Sequence, residues 1–328
     1  MSGLTAFVTG GTGFLGLNLI EQLRAEGWRV IALHRPKSDT RQLRQLGAEL
    51  AQGDILDPVS LDRAIPDETD AVFHVAGNTS LWSPANTRQT LENVVGTRNV
   101  AEAALERGVG RMVHTSSVAV YGFQDARVTE DSPHLGKSSW INYFRTKAMA
   151  EDEVRSAVEK GLDAVILNPA NIVGPYDAGN WSRLITLIHE RHLPGVPSGC
   201  GTFAHSREVA RAHVAAFEKG RRGESYLLGG VDASYLEMAR IVGELTGRKV
   251  PQRAAPDLLL RAVGRMNHLR SLVTRKEPDL SPESVALVTR RVICSSEKAE
   301  AELGFRPVEV RTMLEDCHRW MVEAGRLS

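Results

Sequence analysis

The sequence predicts an α/β protein, a doubly wound parallel sheet followed by a smaller, mostly helical C-terminal domain. Three features carry this expectation. Up to Pro169, short strand-like runs alternate with amphipathic helical ones, the pattern of parallel strands with crossover helices. The strand-like runs are continuously apolar, as in a sheet covered on both faces. A glycine-rich turn joins the first strand to the first helix, where a doubly wound sheet places its ligand.

Thr5–Thr9 (TAFVT) reads as the first strand. Leu15, Leu19, Ile20 and Leu23 then recur at helical spacing, with Glu21, Gln22, Arg24 and Glu26 on the other face, and Gly27 ends the helix. Residues 29–33 (RVIAL) form a second strand, 49–52 a third and 70–75 (DAVFHV) a fourth. A long helix runs through Leu91, Val94, Val95, Val100 and Leu105 to Gly108, followed by a fifth strand at 111–115 (RMVHT). A helix over about 139–160 precedes a sixth strand at 163–167 (DAVIL). Residues 175–200 are rich in Gly and Pro and read as loop around one short helix; 208–220 are helical, and 225–228 form a strand that returns to the sheet. From Ser234 onward the chain is mostly helical. The expected division is a nucleotide-binding domain over 1–174 and a smaller domain over 175–328, with 203–230 partly rejoining the first.

The chain has 328 residues, 42% apolar and 24% charged, the size of about two ordinary globular domains. Lys plus Arg and Asp plus Glu both number 40, so no net field attracts a polyanion and a nucleic-acid partner is not expected. No apolar run approaches the roughly 20 residues of a membrane span. Cys200, Cys294 and Cys317 are too few and too scattered for a disulfide framework or a metal knuckle. His205 and His213 lack a third ligand, so no metal is expected. With no secretory leader pattern at the start, the expected setting is the cytoplasm.

The turn Thr9-Gly10-Gly11-Thr12-Gly13-Phe14-Leu15-Gly16 spaces Gly10, Gly13 and Gly16 by three. Between strand and helix, the backbone of Gly10, Thr12, Gly13, Phe14, Leu15 and Gly16 can approach a dinucleotide pyrophosphate at the positive end of the helix dipole. The second strand runs out into His34-Arg35-Pro36-Lys37. NAD sites usually place an acid here for the ribose 2′-hydroxyl; Arg35, with Lys37 nearby, suits a 2′-phosphate and favours NADP(H) over NAD(H). Asp54 and Ile55, after the third strand, fall at the adenine edge; Asp54 either accepts from the base or caps the helix beginning near Pro58.

Tyr143 and Lys147 stand one helical turn apart on one face. A phenol is a poor acid–base group at neutral pH, and a neighbouring ammonium stabilises its phenolate. Ser117, at the end of the fifth strand, can hydrogen-bond a substrate oxygen. Together with HVAG at 74–77, NVVGT at 93–97, TSSVAVYG at 115–122, YFRTKAMAE at 143–151 and NPANIVGP at 168–175, the order and spacing resemble the extended short-chain dehydrogenase/reductase family over essentially the whole chain. The Tyr-Lys helix, FAHSREVARAH at 203–213 and SYLLGG at 225–230 look most like its dihydroflavonol 4-reductase and 3β-hydroxysteroid dehydrogenase branch.

That resemblance implies a Rossmann fold and an enzyme that interconverts a ketone or aldehyde and an alcohol. Ser117 aligns with the serine that polarises the carbonyl, Tyr143 with the general acid–base, and Lys147 with the lysine that holds the nicotinamide ribose and lowers the tyrosine pKa. Asn93 aligns with an asparagine that supports the lysine. Ala76, Gly77 and Thr115 line the cofactor, and Pro169 with the backbone after it, Asn171 and Ile172, meets the nicotinamide. A small carbonyl or alcohol substrate is the expected partner, and a homodimer a possible assembly.

Some residues depart from the sugar-nucleotide branches. Val118 and Ala119 follow Ser117 where dehydratases often carry acids, no arginine opens the segment 201–208, and Arg35 replaces an acid. Ser206 and Glu208 also replace the usual Val and Asp of that segment. The alternatives are a nucleotide-sugar epimerase or dehydratase with tightly held NAD, and an NADP-sensing regulator without turnover; the intact Tyr143–Lys147 pair opposes the second. Cys317 is expected in the core, on the apolar stripe of the last helix. Residues 254–276 mix Leu258, Leu259, Val263, Met266 and Leu269 with Arg261, Arg265 and Arg270. The bland expectation is a helix with its apolar side on the core; the other is an amphipathic helix on an acidic membrane surface or one that delivers a lipidic substrate.

Overall fold

The computed structural model describes residues 3–327. Residues 1, 2 and 328, the outer ends of the two expected domains, lie outside the described residues. In chain order the elements begin β1 (Thr5–Thr9), α1 (Phe14–Ala25), β2 (Arg29–His34), α2 (Arg41–Gln45), β3 (Glu49–Gln52), α3 (Pro58–Ala64) and β4 (Ala71–His74). Next come α4 (Asn86–Thr90), a π-helical turn (Leu91–Val95), α5 (Gly96–Glu106), β5 (Arg111–Thr115), α6 (Asn142–Glu159) and β6 (Ala164–Pro169). They are followed by β7 (Asn171–Val173), α7 (Trp181–His189), β8 (Cys200–His205), α8 (Ser206–Lys219), β9 (Ser225–Leu228) and β10 (Val231–Ser234). The chain closes with α9 (Tyr235–Thr246), α10 (Asp257–Thr274), α11 (Pro282–Val288), β11 (Arg291–Val292), α12 (Glu297–Leu303) and α13 (Val310–Glu323).

Seven parallel strands order as β3-β2-β1-β4-β5-β6-β9, the doubly wound α/β sheet expected from the sequence. Alternation along each strand divides its side chains between two cores. In β1, Phe7 packs on the side of α3, α5 and α6, and Val8 on the side of α1 and α8. Both are fully buried, each contributing about 1.5–3 kcal/mol of apolar burial. The chain winds outward through β2 and β3, then returns to β4 on the other side of β1. That reversal opens a crevice beyond the carboxyl ends of β1 and β4, where Thr9 and His74 stand in register.

A second, four-stranded sheet has no counterpart in the sequence reading: β8 pairs β10 along one edge and β7 and β11 along the other. Thus residues 200–205 sit in the small sheet, and it is α8 and β9 that return to the large one, α8 packing on α1. Buried Asn18 joins these parts: its amide donates to the Pro175 carbonyl at 2.9 Å and its carbonyl accepts from Ser206 Oγ at 2.9 Å. A Cβ on Gly174 would collide with that same Ser206 hydroxyl, so Ser206 fills a space only glycine leaves open. Cys317 is fully buried, as the apolar stripe of α13 predicts.

α10 corrects an expectation. Its apolar side is not on the core: only Gly264 and Ser271 are buried, while Leu258, Leu259, Met266, Leu269, Leu272 and Val273 are exposed. The inward face is small because the helix lies close on α11, a Cβ on Gly264 coming within 2.9 Å of Val285 Cγ2.

Asn18→Ala would strand the Ser206 hydroxyl and the Pro175 carbonyl without their partner. We expect a loss of about 1–3 kcal/mol in denaturant unfolding, against a near-neutral Gln22→Ala one turn on, where the half-buried amide meets only Glu26 at the surface. Equal effects of the two would remove the role given to Asn18.

Candidate active site

The crevice is floored by the turn after β1. Gly10 has φ +72°, and a Cβ there would stand 2.5 Å from the Ala76 backbone nitrogen; one on Gly16 would run into the Gly10 carbonyl oxygen. Gly13 precedes α1 and brings no capping side chain, so the first N–H groups of α1 keep their hydrogen-bonding capacity for a ligand. Thr12 and Gly13 are exposed at this mouth. The cradle is one that a side chain would fill, and it fits a dinucleotide pyrophosphate.

Arg35 follows β2, exposed, its guanidinium 3.4 Å from Glu92 Oε1. Glu92 also takes Arg88 Nε at 2.8 Å and the Asn78 amide at 2.7 Å. Lys37 is exposed nearby. Asp54 does not cap the helix that follows: Asp57 does, accepting from the Val59 N–H at 3.1 Å. Asp54 instead closes its own turn, accepting from the Leu56 N–H. Ile55 lies against Gly96, and its carbonyl accepts from Asn99.

A buried line of hydrogen bonds leaves the glycine turn. The Ala76 N–H donates to Thr9 Oγ1 at 3.2 Å, and Thr9 Oγ1 lies 2.7 Å from His74 Nδ1. His74 Nε2 lies 2.9 Å from Thr97 Oγ1, which donates to the Asn93 carbonyl. The donors run in one sense only when His74 is neutral with its proton on Nε2. Burial, with the Lys147 charge second, lowers its pKa to about 3, which keeps it neutral. Asn93 lies in the π-helical turn, exchanging hydrogen bonds with the Asn78 backbone and donating to Thr146 Oγ1 on α6. π-Turns recur at functional sites because they re-aim one side chain within a helix.

α6 carries Tyr143 and Lys147. The buried Lys147 ammonium donates to the Thr115 carbonyl at 2.8 Å. A Cβ built on Gly77 would stand 4.0 Å from that nitrogen, so the absent side chain leaves room beside it. Burial lowers the lysine pKa to about 8, with Glu151 one turn on opposing the shift. His213 fixes Thr115 from behind: its Nδ1 lies 2.7 Å from the Val209 carbonyl and its Nε2 2.8 Å from Thr115 Oγ1. Ser117 lies beside the half-buried Tyr143. Burial raises the phenol pKa and the Ser117 hydroxyl partly reverses this; Lys147 is not among the groups that act on it. The sequence reading expected the lysine to lower that pKa, but in this geometry its ammonium is turned to Thr115.

Behind the serine, Asn168 donates to the Ser117 carbonyl at 3.2 Å and to the buried Glu151 carboxylate at 2.6 Å. Pro169 ends β6 opposite Leu228 of β9. Asn171 and Ile172 continue into β7, where the Asn171 amide is spent on the Thr202 carbonyl at 3.0 Å. Around Tyr143, Leu81, Phe123, Phe144, Ala286 and Leu287 form an apolar wall drawn from four parts of the chain. Among the described residues no group of three His, Cys, Asp or Glu is placed to hold a metal.

Residues 6–229 match the NAD dependent epimerase/dehydratase family. The chain belongs to that family. This family chain is 32% identical to Sterol demethylase protein B of Methylococcus capsulatus, over 99% of its own length and 100% of the relative. It is 29% identical to a putative dihydroflavonol 4-reductase of Synechocystis, over 97% and 95%. The crystal structure of gox2253 superposes with a TM-score of 0.86 at 33% identity, covering 99% of each chain. The resemblance to extended short-chain dehydrogenase/reductases therefore stands, and with it an enzyme of a nicotinamide-dinucleotide-dependent family.

Sequence spacing missed His213, Glu92, Asn78, Glu151 and Asn168. Glu151 and Asn168 lie inside quoted motifs, but their meeting needs the α6–β6 packing.

The Lys147 shift has a stability signature. Its folded pKa is depressed from 10.5 to about 8, so the unfolded chain binds more protons between those values and wild type gains stability as pH rises through them. Against Lys147→Met, which has no titrating group there, the wild-type advantage should grow by about 3 kcal/mol from pH 7 to 10.5. Denaturant unfolding of both proteins across that range checks it; a pH-independent difference would contradict the buried charge.

Proposed function

We propose that this protein is an NADP(H)-dependent reductase that interconverts a ketone or aldehyde and the corresponding alcohol, with Ser117, Tyr143 and Lys147 as its working residues. The observation that supports the reading most is Lys147, buried one helical turn from Tyr143 with its ammonium held at the Thr115 carbonyl and beside the opening left by Gly77. When bound, the nicotinamide supplies or accepts a hydride.

The chain's own groups have separable tasks. The backbone of Gly10 to Gly16, with Thr12, Phe14 and Leu15, holds the pyrophosphate. Ala76, Gly77, Thr115, Pro169 and the Asn171–Ile172 backbone border the nicotinamide end, and Asp54 and Ile55 the adenine end. Ser117 Oγ donates to the carbonyl oxygen and polarises it. The Tyr143 hydroxyl gives that oxygen its proton as the alcohol forms, and a raised phenol pKa keeps the proton on Tyr143 until then. Lys147 has three donors, one taken by Thr115, which leaves two for ribose hydroxyls. Asn93 and the His74 line keep α6 in register with the glycine turn.

The proposed division of labour gives 1–174 and the returning α8 and β9 to the cofactor and the remainder to the substrate. The apolar wall around Tyr143 suits a bulky apolar carbonyl compound. The names of the two relatives, one a sterol protein and one a dihydroflavonol reductase, support that class.

Arg35 supports NADP(H), and Glu92, which now holds it, is a carboxylate that an additional phosphate must face. Arg35→Ala should weaken NADPH binding about tenfold or more with little change for NADH, since one charge-assisted contact is lost. Glu92→Gln should act in the opposite direction and tighten NADPH. Fluorescence titration of both cofactors decides it; unchanged NADPH constants in both variants would take Arg35 out of the site and favour NAD(H).

Tyr143→Phe removes only the hydroxyl, so cofactor binding should survive while turnover of a working carbonyl substrate falls about 10²–10⁴-fold. Lys147→Met should weaken cofactor binding as well, and Ser117→Ala should cost less than Tyr143→Phe. Single-turnover NADPH oxidation across a pH series reads all three. Near-normal turnover by Tyr143→Phe would sink the mechanism.

A further inference from the structure

The outer face of α10 has a pattern that the hydride chemistry does not use. Leu258, Ala262, Met266, Leu269 and Val273 follow one another at steps of four, four, three and four, with Leu259 beside them, and all six are exposed. Leu258 and Val273 are 80% and 85% accessible. At about 100° per residue these six side chains fall within a continuous stripe directed away from the buried Gly264 and Ser271. Arg261 and Arg265 border the stripe on one side and Arg270 on the other; Arg275 and Lys276 follow at its end.

Between Leu258 and Lys276 the charged side chains are all cationic. Among the described residues, the structure gives no carboxylate partner to Arg261, Arg265, Arg270, Arg275 or Lys276. The acids at the two ends of the helix are engaged elsewhere, Asp257 with Ser198 and Glu277 with Ser80. The inner face, in contrast, is anchored: the Trp82 indole donates to Ser271 Oγ at 2.9 Å and Gly264 sits against Val285. The helix is therefore a fixed element with an uncovered apolar stripe between cationic flanks.

We propose that α10 is a docking helix that seats this protein on an anionic phospholipid bilayer. At about 27 Å, and with arginines throughout, it lies in the plane of the surface rather than crossing it. The stripe enters the acyl boundary and the flanking guanidiniums meet lipid phosphates, so one surface satisfies both features. A second copy of the same helix satisfies only the first, because it brings a second set of arginines and no carboxylate to meet them. The anchoring through Trp82 ties the docked face to the segment 78–82, which begins at Asn78 beside Asn93. The proposal does not rest on the reductase reading.

The test is co-sedimentation of the full chain with sucrose-loaded vesicles, one set pure phosphatidylcholine and one set seven parts phosphatidylcholine to three parts phosphatidylglycerol. We expect about tenfold or stronger partitioning onto the anionic set, weakened by added salt. Met266→Glu/Val273→Glu changes only exposed side chains and should bring binding to background. Arg261→Gln/Arg265→Gln/Arg270→Gln should leave weak binding that no longer responds to salt. Wild type that stays in the supernatant with both vesicle sets overturns the proposal without reference to any variant. So does salt-insensitive binding of wild type to both sets alike, or a concentration-dependent dimer, dissolved by the glutamate pair, in a protein that ignores vesicles.

Discussion

A neutral imidazole joins the two halves of this site. His74 ends β4 inside the sheet, with Thr9 of the glycine turn on one ring nitrogen and Thr97, bonded to Asn93, on the other. Each buried hydrogen bond is worth little net, about 0.5–1.5 kcal/mol, but each unmade one costs more. The crevice between β1 and β4 therefore has one low-energy arrangement, and the π-turn carrying Asn93 transmits it to α6 through Thr146. A protonated His74 would donate to Thr9 Oγ1 and leave the Thr9 hydroxyl proton without its acceptor, which is why its depressed pKa matters to the geometry.

Lys147 is the costly member of this frame. An ammonium in the interior loses its hydration, and the Thr115 carbonyl and the Glu151 charge offset only part of that loss, so its pKa stays below that of a free lysine. The fold tolerates the cost by fixing the acceptor, since His213 holds Thr115 from the side of α8. α8 reaches that place because Ser206, at its start, is locked to Asn18 of α1. A helix from beyond the small sheet thus fixes the residue that accepts from Lys147.

The large sheet was legible because each of its strands is a local apolar run bounded by turns. The small sheet was not: β7, β10 and β11 have two to four residues each, and their pairing with β8 spans up to about 90 positions, so no local period announces them. The phenol was read with the wrong sign because its pKa follows burial, a property of the packed site. Asp54 and Asp57 are chemically equal candidates for a cap, and backbone geometry alone chose Asp57. The period of α10 was plain, but period does not say which face meets the protein; the small residues Gly264 and Ser271, opposite the leucines, were the signal that did. Gly10 and Gly16 make the close backbone approaches of the turn and Lys147 meets the Thr115 carbonyl at the end of β5, while Asn171 turns its amide to the small sheet.

The central claim is that a hydride leaves the cofactor for a separate carbonyl substrate and stays there. NADPH carrying deuterium at nicotinamide C4, on each face in turn, tests it directly with any apolar ketone the enzyme turns over. The account predicts that, for one of the two faces, the label moves to the carbinol carbon of the product alcohol, one deuterium per NADPH consumed. An alcohol without label from either face, or interconversion of substrate stereoisomers with no net cofactor consumed, would contradict it and place the protein with the hydride-returning epimerases instead.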